Sequence, residues 1–260
     1  MKIRYLIPLV VVGMSLTVPL SLDGQEPIDG STLVHDGDRF LHPTTRVPYT
    51  GPVFVEYSPG VVQVRGELKD GKQDGTWETY YENGQLLEKS SFSNGKIDGP
   101  RELYYENGQL RHKGSYLNGV EDGPFEMYYQ NGQLFTKGSH SNGVFDGPWE
   151  SYHENGQLRE KSLYSNGKMD GPWEEYYSNG QLWGKGSYLN GVEDGPFEMY
   201  YRNGQLMRKS SSSNGELDGP YELYYENGQL EWKGYWSNDE KCGEWIEDGE
   251  TVTYPPCPNG

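Results

Sequence analysis

Asp170-Gly-Pro-Trp-Glu-Glu-Tyr-Tyr-Ser-Asn-Gly-Gln-Leu-Trp-Gly-Lys-Gly-Ser-Tyr-Leu-Asn-Gly-Val-Glu193 is the stretch that decides the fold. Its Asn179-Gly180 separates two runs of strand-forming residues. That is a strong hairpin signal, because both central residues of a type I′ turn need positive φ. A two-residue turn there fixes the register: Tyr177 opposite Leu182, Tyr176 opposite Trp183, Glu174 opposite Lys185 and Trp173 opposite Gly186. Strand period two then puts Glu and Lys on one face and the aromatic and glycine on the other.

The unit recurs. Asn-Gly-Gln-Leu begins at Asn83, Asn107, Asn131, Asn155, Asn179, Asn203 and Asn227, always 24 residues apart. A fixed period of this size marks a stacked repeat array. The register extends back to a degenerate unit at Thr50-Gly-Pro, so eight units span 50–241, and Cys242-Gly-Glu-Trp245 opens a shortened ninth. Residues 114–129 and 186–201 are identical, a correlation over three units that points to growth by duplication of three-unit blocks.

The other units test the register. Glu78, Glu102, Glu126, Glu150, Glu174, Glu198 and Glu222 fall opposite Lys89, Lys113, Lys137, Lys161, Lys185, Lys209 and Lys233. On the other face Trp77, Phe125, Trp149, Trp173, Phe197 and Tyr221 cover Gly or Ser, a large-on-small arrangement that supports weak strand positions. A one-residue slip would mix charges with aromatics, so the register is well specified. The turns of the type Ser-Asn-Gly-Lys-Met-Asp-Gly read as longer connections between hairpins. The expected fold is all-β: an elongated single-layer antiparallel β-meander of 24-residue hairpin repeats, roughly 75 Å long at about 4.8 Å per strand. Arg101 in the aromatic slot, His153 in a Tyr slot and Ser212 in a Tyr/Phe slot are expected to be local weak points.

Composition agrees only through this periodicity. The 260 residues include no alanine, and Leu, Ile, Val and Phe supply 49 of them against a net charge of −17, a profile that otherwise predicts disorder. The apolar area comes instead from 22 Tyr, 7 Trp and one Leu per hairpin.

The ends differ from the array. Residues 1–24 read as an export signal, with Lys2 and Arg4 ahead of an apolar run; an uncleaved N-terminal anchor is the alternative. Removing them leaves a net charge of −18, which repels nucleic acid and disfavours anionic membranes. Residues 25–49 form an N-terminal linker or edge segment. Cys242 and Cys257, in the capping half-repeat 242–260, read as a disulfide in an exported protein.

The repeated Tyr-Tyr-Glu-Asn-Gly-Gln-Leu-x-x-Lys-Gly-x-Tyr-x-Asn-Gly-x-x-Asp-Gly-Pro-Trp resembles the MORN-repeat variant, widespread in bacterial proteins and often labelled antitoxin-like, over about 50–250. The resemblance implies an elongated β-meander that contacts proteins or membranes and has no catalytic residues. A weaker similarity, through Trp, Tyr-Tyr and Asn-Gly hairpins, is to choline- and glucan-binding wall repeats, whose periods are shorter.

Chemistry-bearing motifs are sparse. His35, His42, His112, His140 and His153 make no pair at metal spacing, and no nucleophile, phosphate-loop or zinc pattern is present. Turns such as Asn190-Gly-Val-Glu-Asp194-Gly195 lack the alternating ligand pattern of a calcium loop. No cofactor, metal or catalytic residue is expected. The candidate interaction face is the Tyr ladder with interleaved apolar side chains: Tyr128, Phe135, Tyr152, Tyr176, Trp183, Tyr200 and Met207. The expected function is an exported, non-enzymatic scaffold or protein-interaction surface in the periplasm, on the outer cell surface or outside the cell. The alternatives are a carbohydrate-binding wall module, with polysaccharide as partner, and an antitoxin or immunity protein.

Overall fold

A computed structural model describes residues 25–258; the proposed export signal lies outside the described residues. The described residues are all-β apart from one 3-10 turn at Gly30–Thr32. One mostly antiparallel sheet of 22 strands holds the array, and a small hairpin of Val34–Asp36 with Arg39–Leu41 stands beside it. Each strand of the array pairs with its sequence neighbours. The end strands Ile28–Asp29 and Glu250–Thr253 have one partner each, so the sheet is open.

The predicted charge register is present. Glu78↔Lys89, Glu126↔Lys137, Glu174↔Lys185 and Glu222↔Lys233 are direct cross-strand pairs. The same holds across the seams between units, as in Lys113↔Glu126 and Lys161↔Glu174, so Glu and Lys alternate in an unbroken row. Most of the shorter ion pairs cross seams: Lys137 to Glu150 at 2.8 Å and Lys161 to Glu174 at 2.7 Å, against 3.6 Å for Lys89 to Glu78 within a hairpin.

The turns correct the expectation. Asn179-Gly180 does not form a type I′ turn. Gly180 N–H donates to the Tyr177 carbonyl and Tyr177 N–H to the Gln181 carbonyl, both at 2.8 Å, and only Gly180 of the two takes positive φ, at 83°. This is a three-residue loop: a type I turn closed by a left-handed glycine. The Asn179 side chain holds it by accepting from Gln181 N–H at 3.1 Å. The register therefore shifts between Glu175 and Tyr176. Tyr176 pairs with Leu182, not Trp183, and Trp183 is the bulged residue.

The type I′ turn lies at the other end of the unit, where a longer connection was expected. Asn190 and Gly191 have φ of 53° and 91°, and Leu189 pairs directly with Val192. The length assigned to that connection is an irregularity at Asp-Gly-Pro, seen between Ser162 and Tyr164 opposite Met169 to Trp173.

Both turn rows lock unit to unit. At one edge Tyr81, Tyr105, Tyr129, Tyr177 and Tyr201 each donate to a carbonyl 23 residues on, at 2.8–2.9 Å. At the other, Gly95, Gly119, Gly143 and Gly191 donate backbone N–H to the preceding unit's turn at 2.7–2.8 Å.

On the aromatic face the rings cover small residues of the preceding unit as well as their own hairpin partner. A Cβ on Gly186 would lie 2.3 Å from the Phe197 ring, and one on Gly234 would lie 2.1 Å from Trp245. Tiled this way, Phe125, Trp173, Phe197 and Trp245 are buried within a single layer. The three expected weak points are each accommodated. Arg101 ion-pairs with Glu88 at 2.9 Å, His153 Nε2 contacts the Tyr176 carbonyl at 2.9 Å in place of a Tyr hydroxyl, and Ser212 is buried opposite Gly195.

The ends are packed. Tyr49, Val53 and Leu68 form a small core with Ile28, Leu33, Phe40 and Trp77. Cys242 and Cys257 are disulfide-bonded, which ties the chain after Thr253 back to the strand Glu240–Glu247.

Candidate interaction surface

Period two puts Pro172, Glu174 and Tyr176 on the same face of one strand, with Lys185 and Ser187 beside them on the next. The Tyr hydroxyls are engaged there. Tyr128 donates to Glu126 at 2.5 Å, Tyr200 to Glu198 at 2.5 Å, and Tyr152 and Tyr176 to Glu150 and Glu174. Glu150 and Glu174 are held below the usual carboxylate range by Lys137 and Lys161, each seconded by its Tyr. Burial, then the Glu126 carboxylate, pushes the Tyr128 phenol up to about 12. Lys, Glu and Tyr thus form a stiffened polar row, and the four Tyr hydroxyls of the expected site are already bonded.

Phe135 and Trp183 do not join that row. The bulge beside the loop lets Phe135 pack against Tyr129 at 5.0 Å and Trp183 stand edge-on to Trp173 at 5.8 Å. Met207 is half-buried at the corresponding position of its own unit.

The exposed apolar surface lies elsewhere on the charged face. Leu163 is 37% exposed and pairs with Pro148. With Pro172 and the Glu150 and Lys161 stems it lines a shallow slot of about 310 Å³. A slot of the same size recurs one unit on, between Pro172 and Pro196. Beside the type I′ turns stand Leu117, Val120, Val144, Leu189 and Val192, all exposed. These residues were missed because the turn they flank was taken for a longer connection. Once the two-residue turn is known, the Leu-Asn-Gly-Val runs at 117–120 and 189–192 mark the patch directly.

Two further clusters lie on the aromatic face. Lys241 stands over Trp232 at 4.3 Å and Trp245 at 4.5 Å and ion-pairs with Glu247 at 2.6 Å. Glu160 and Glu175 are direct cross-strand partners, both raised by burial and Glu160 further by the charge of Glu175. Among the described residues no group of three or more His, Cys, Asp or Glu side chains is placed to hold a metal ion, and Asp194 accepts from Asn214 N–H at 3.2 Å.

This geometry defines a tandem hairpin-repeat protein whose units are joined at both turn rows. The MORN repeat variant model matches seven consecutive stretches, 73–94, 97–118, 121–142, 145–166, 169–190, 193–214 and 217–238, together more than half of the chain. The chain belongs to the MORN repeat variant family. No curated protein matches it. Solved structures that match include the crystal structure of TcdB2-TccC3-TEV, 13% identical over 78% of this chain and 14% of that one, with a TM-score of 0.20. Those of TcdB2-TccC3 and TcdB2-TccC3-Cdc42 are 13% and 12% identical, each over 84% of this chain and 16% of that one, with TM-scores of 0.18 and 0.15. The chain therefore spans about one-seventh of the length of these chains.

Proposed function

We propose that this repeat protein is an exported, non-enzymatic scaffold of the cell envelope whose sheet binds a protein partner. The observation that carries the reading is the exposed apolar set on the charged face, Leu117, Val120, Leu163, Leu189 and Val192. The polar groups around it are bonded to one another, so they stiffen the sheet and leave the aliphatic side chains to gain from desolvation. Exposed apolar surface rimmed by polar residues is the composition of a protein-binding patch. The disulfide is compatible with an oxidising compartment.

The test is affinity capture from the native envelope with wild-type protein and with L163S/L189S, followed by mass spectrometry. The expected result is a specific protein retained by wild type and lost by the variant at unchanged Tm. Retention on insoluble polysaccharide with no captured protein would replace this reading by a carbohydrate-binding one.

A further inference from the structure

Positions three units apart are equivalent in this chain, and two of the three copies of one seam supply a cation there, from different slots. At the C-terminal copy, Lys241 lies over the rings of Trp232 and Trp245 and on the Glu247 carboxylate. At the N-terminal copy, Arg101 occupies the slot equivalent to Trp245, pairs with Glu88 at 2.9 Å and lies 5.7 Å from the Tyr116 ring centre. Aromatic faces and a carboxylate together favour a desolvated cation.

The central copy keeps one ring and one carboxylate of this frame, exchanges the second ring for a carboxylate, and lacks the cation. Trp173 is the counterpart of Trp245, Glu175 of Glu247 and Glu160 of Trp232, but Met169 stands where Lys241 stands. Glu160 and Glu175 are directly paired on the Trp173 face, at the seam between two units. Trp183 and Tyr188 stand edge-on to Trp173 at 5.8 and 6.2 Å. Ser151, the other cross-strand neighbour of Glu160, is buried, and its hydroxyl has no hydrogen-bond partner among the described residues. Arg159 and His153 are the basic groups whose fields reach the pair. Arg159 is exposed and, among the described residues, forms no ion pair with either carboxylate.

We propose that Glu160 and Glu175, walled by Trp173 and Tyr188, form a receptor for a basic side chain, lysine or arginine, of a protein partner. The inference rests on the protein-binding reading above and adds a contact on the aromatic face, opposite the aliphatic patch of the charged face. In the outer copies the carboxylate has a cation of the chain itself, Arg101 for Glu88 and Lys241 for Glu247; the central copy leaves it to the partner. The net charge of −17 steers basic surfaces toward the array.

The experiment titrates the full chain with the peptide acetyl-Gly-Gly-Lys-Gly-Gly-amide, and with the same peptide carrying norleucine for Lys, at physiological ionic strength. The Trp173 indole N–H resonance is the readout. The expected result is a saturable shift with the Lys peptide only. It is weakened about tenfold or more in E160Q/E175Q, as for loss of a charge-assisted contact, and kept in E222Q on the opposite face. Met169→Lys, which copies Lys241, should abolish the shift and raise Tm, and E160Q/E175Q should not lower Tm. A shift unchanged in E160Q/E175Q, equal response to norleucine, or an M169K protein with unaltered Tm and titration overturns the proposal. Capture of a partner equally by wild type and E160Q/E175Q removes this site and leaves the protein-binding reading standing. A Lys-specific shift with no captured protein does the reverse.

Discussion

The Tyr177 hydroxyl donates to the Tyr200 carbonyl at 2.9 Å, tying the loop of one hairpin to the next unit. In a one-dimensional array, stability is the sum of unit terms and nearest-neighbour interfaces. A bond that crosses each seam therefore sets how cooperatively the array unfolds. Tyr177→Phe keeps the ring and removes the bond, for a loss of about 1 kcal/mol. Urea unfolding should report a lower midpoint. Equal midpoints for the variant and wild type would mean that water replaces the hydroxyl at no cost.

The glycines under the rings are a second test. Gly234→Ala places a methyl about where the Trp245 ring already lies, and Gly186→Ala does the same against Phe197. Trp245 and Phe197 are buried and cannot swing clear freely. Overpacking of this kind costs about 1–3 kcal/mol. Ser162→Ala, in a slot that already accommodates a Cβ, should cost less than either glycine substitution. Thermal melts of the three variants order them, and a Gly234→Ala protein as stable as wild type would show that the ring shifts without penalty.

The two Asn-Gly pairs of a unit should respond differently. Asn190 has φ of 53°, so Asn190→Ala forces a left-handed alanine, at about 1–2 kcal/mol, while Asn190→Gly relieves it. At Asn179 the backbone asks for no such conformation, and its substitution loses the side-chain bonds with Gln181, accepted from its N–H and donated to its Oε1. Asn179→Gly should therefore be the more harmful glycine replacement. If Asn190→Gly proves the worse of the two in thermal melts, the turn assignment is incorrect.

These turns show how far the fold could be read from residues alone. Glu174 opposite Lys185 and Trp173 opposite Gly186 follow from charge and size complementarity, and both pairs are present. That information is chemical and survives an error in the turn, because the bulge at Trp183 absorbs the difference before Glu175 is reached. Turn type is conformational. Asn-Gly occurs at both ends of the unit, and what separates them is the four-residue polar stretch Ser178-Asn-Gly-Gln181 against the two residues between Leu189 and Val192. The site was less legible for the same reason. Trp183 and Phe135 were placed by alternation on the charged face, and a bulge breaks alternation. The Glu160 and Glu175 pair was hidden for a related reason: the type I′ turn sets Ser165 opposite Lys168, and the irregularity between Ser162 and Tyr164 then shifts the seam register before the pair is reached.

The disulfide is expected to act locally. It closes a separation of 15 residues, for about 3 kcal/mol in the chain-entropy model. Its Cys242 lies in the strand that carries buried Trp245, so Cys257→Ser should open Glu240–Glu247 and Glu250–Thr253 first. Hydrogen exchange should quicken there with little change at Lys168–Tyr176. Uniform loss of protection along the array would mean that the cap supports every unit, and the local account would fall.

The pH dependence separates the two faces. Glu150 is held below the ordinary value of 4.5, first by Lys137 and then by Tyr152. A lowered carboxyl contributes stability that is present above the ordinary value and lost as pH falls through its folded one. Glu160 and Glu175 have the opposite sign. Burial raises both above 4.5, so their contribution is present below the ordinary value and lost as pH rises through the raised ones. At neutral pH E150Q should therefore lower Tm, and E160Q/E175Q should raise it. On acidification below about 4 both differences from wild type should shrink, because the carboxyls of wild type then carry protons as well. Melts of the three proteins between about pH 3 and pH 8 test this. A stabilisation by E160Q/E175Q that persists undiminished in acid would assign it to packing and leave the carboxylate charge without effect.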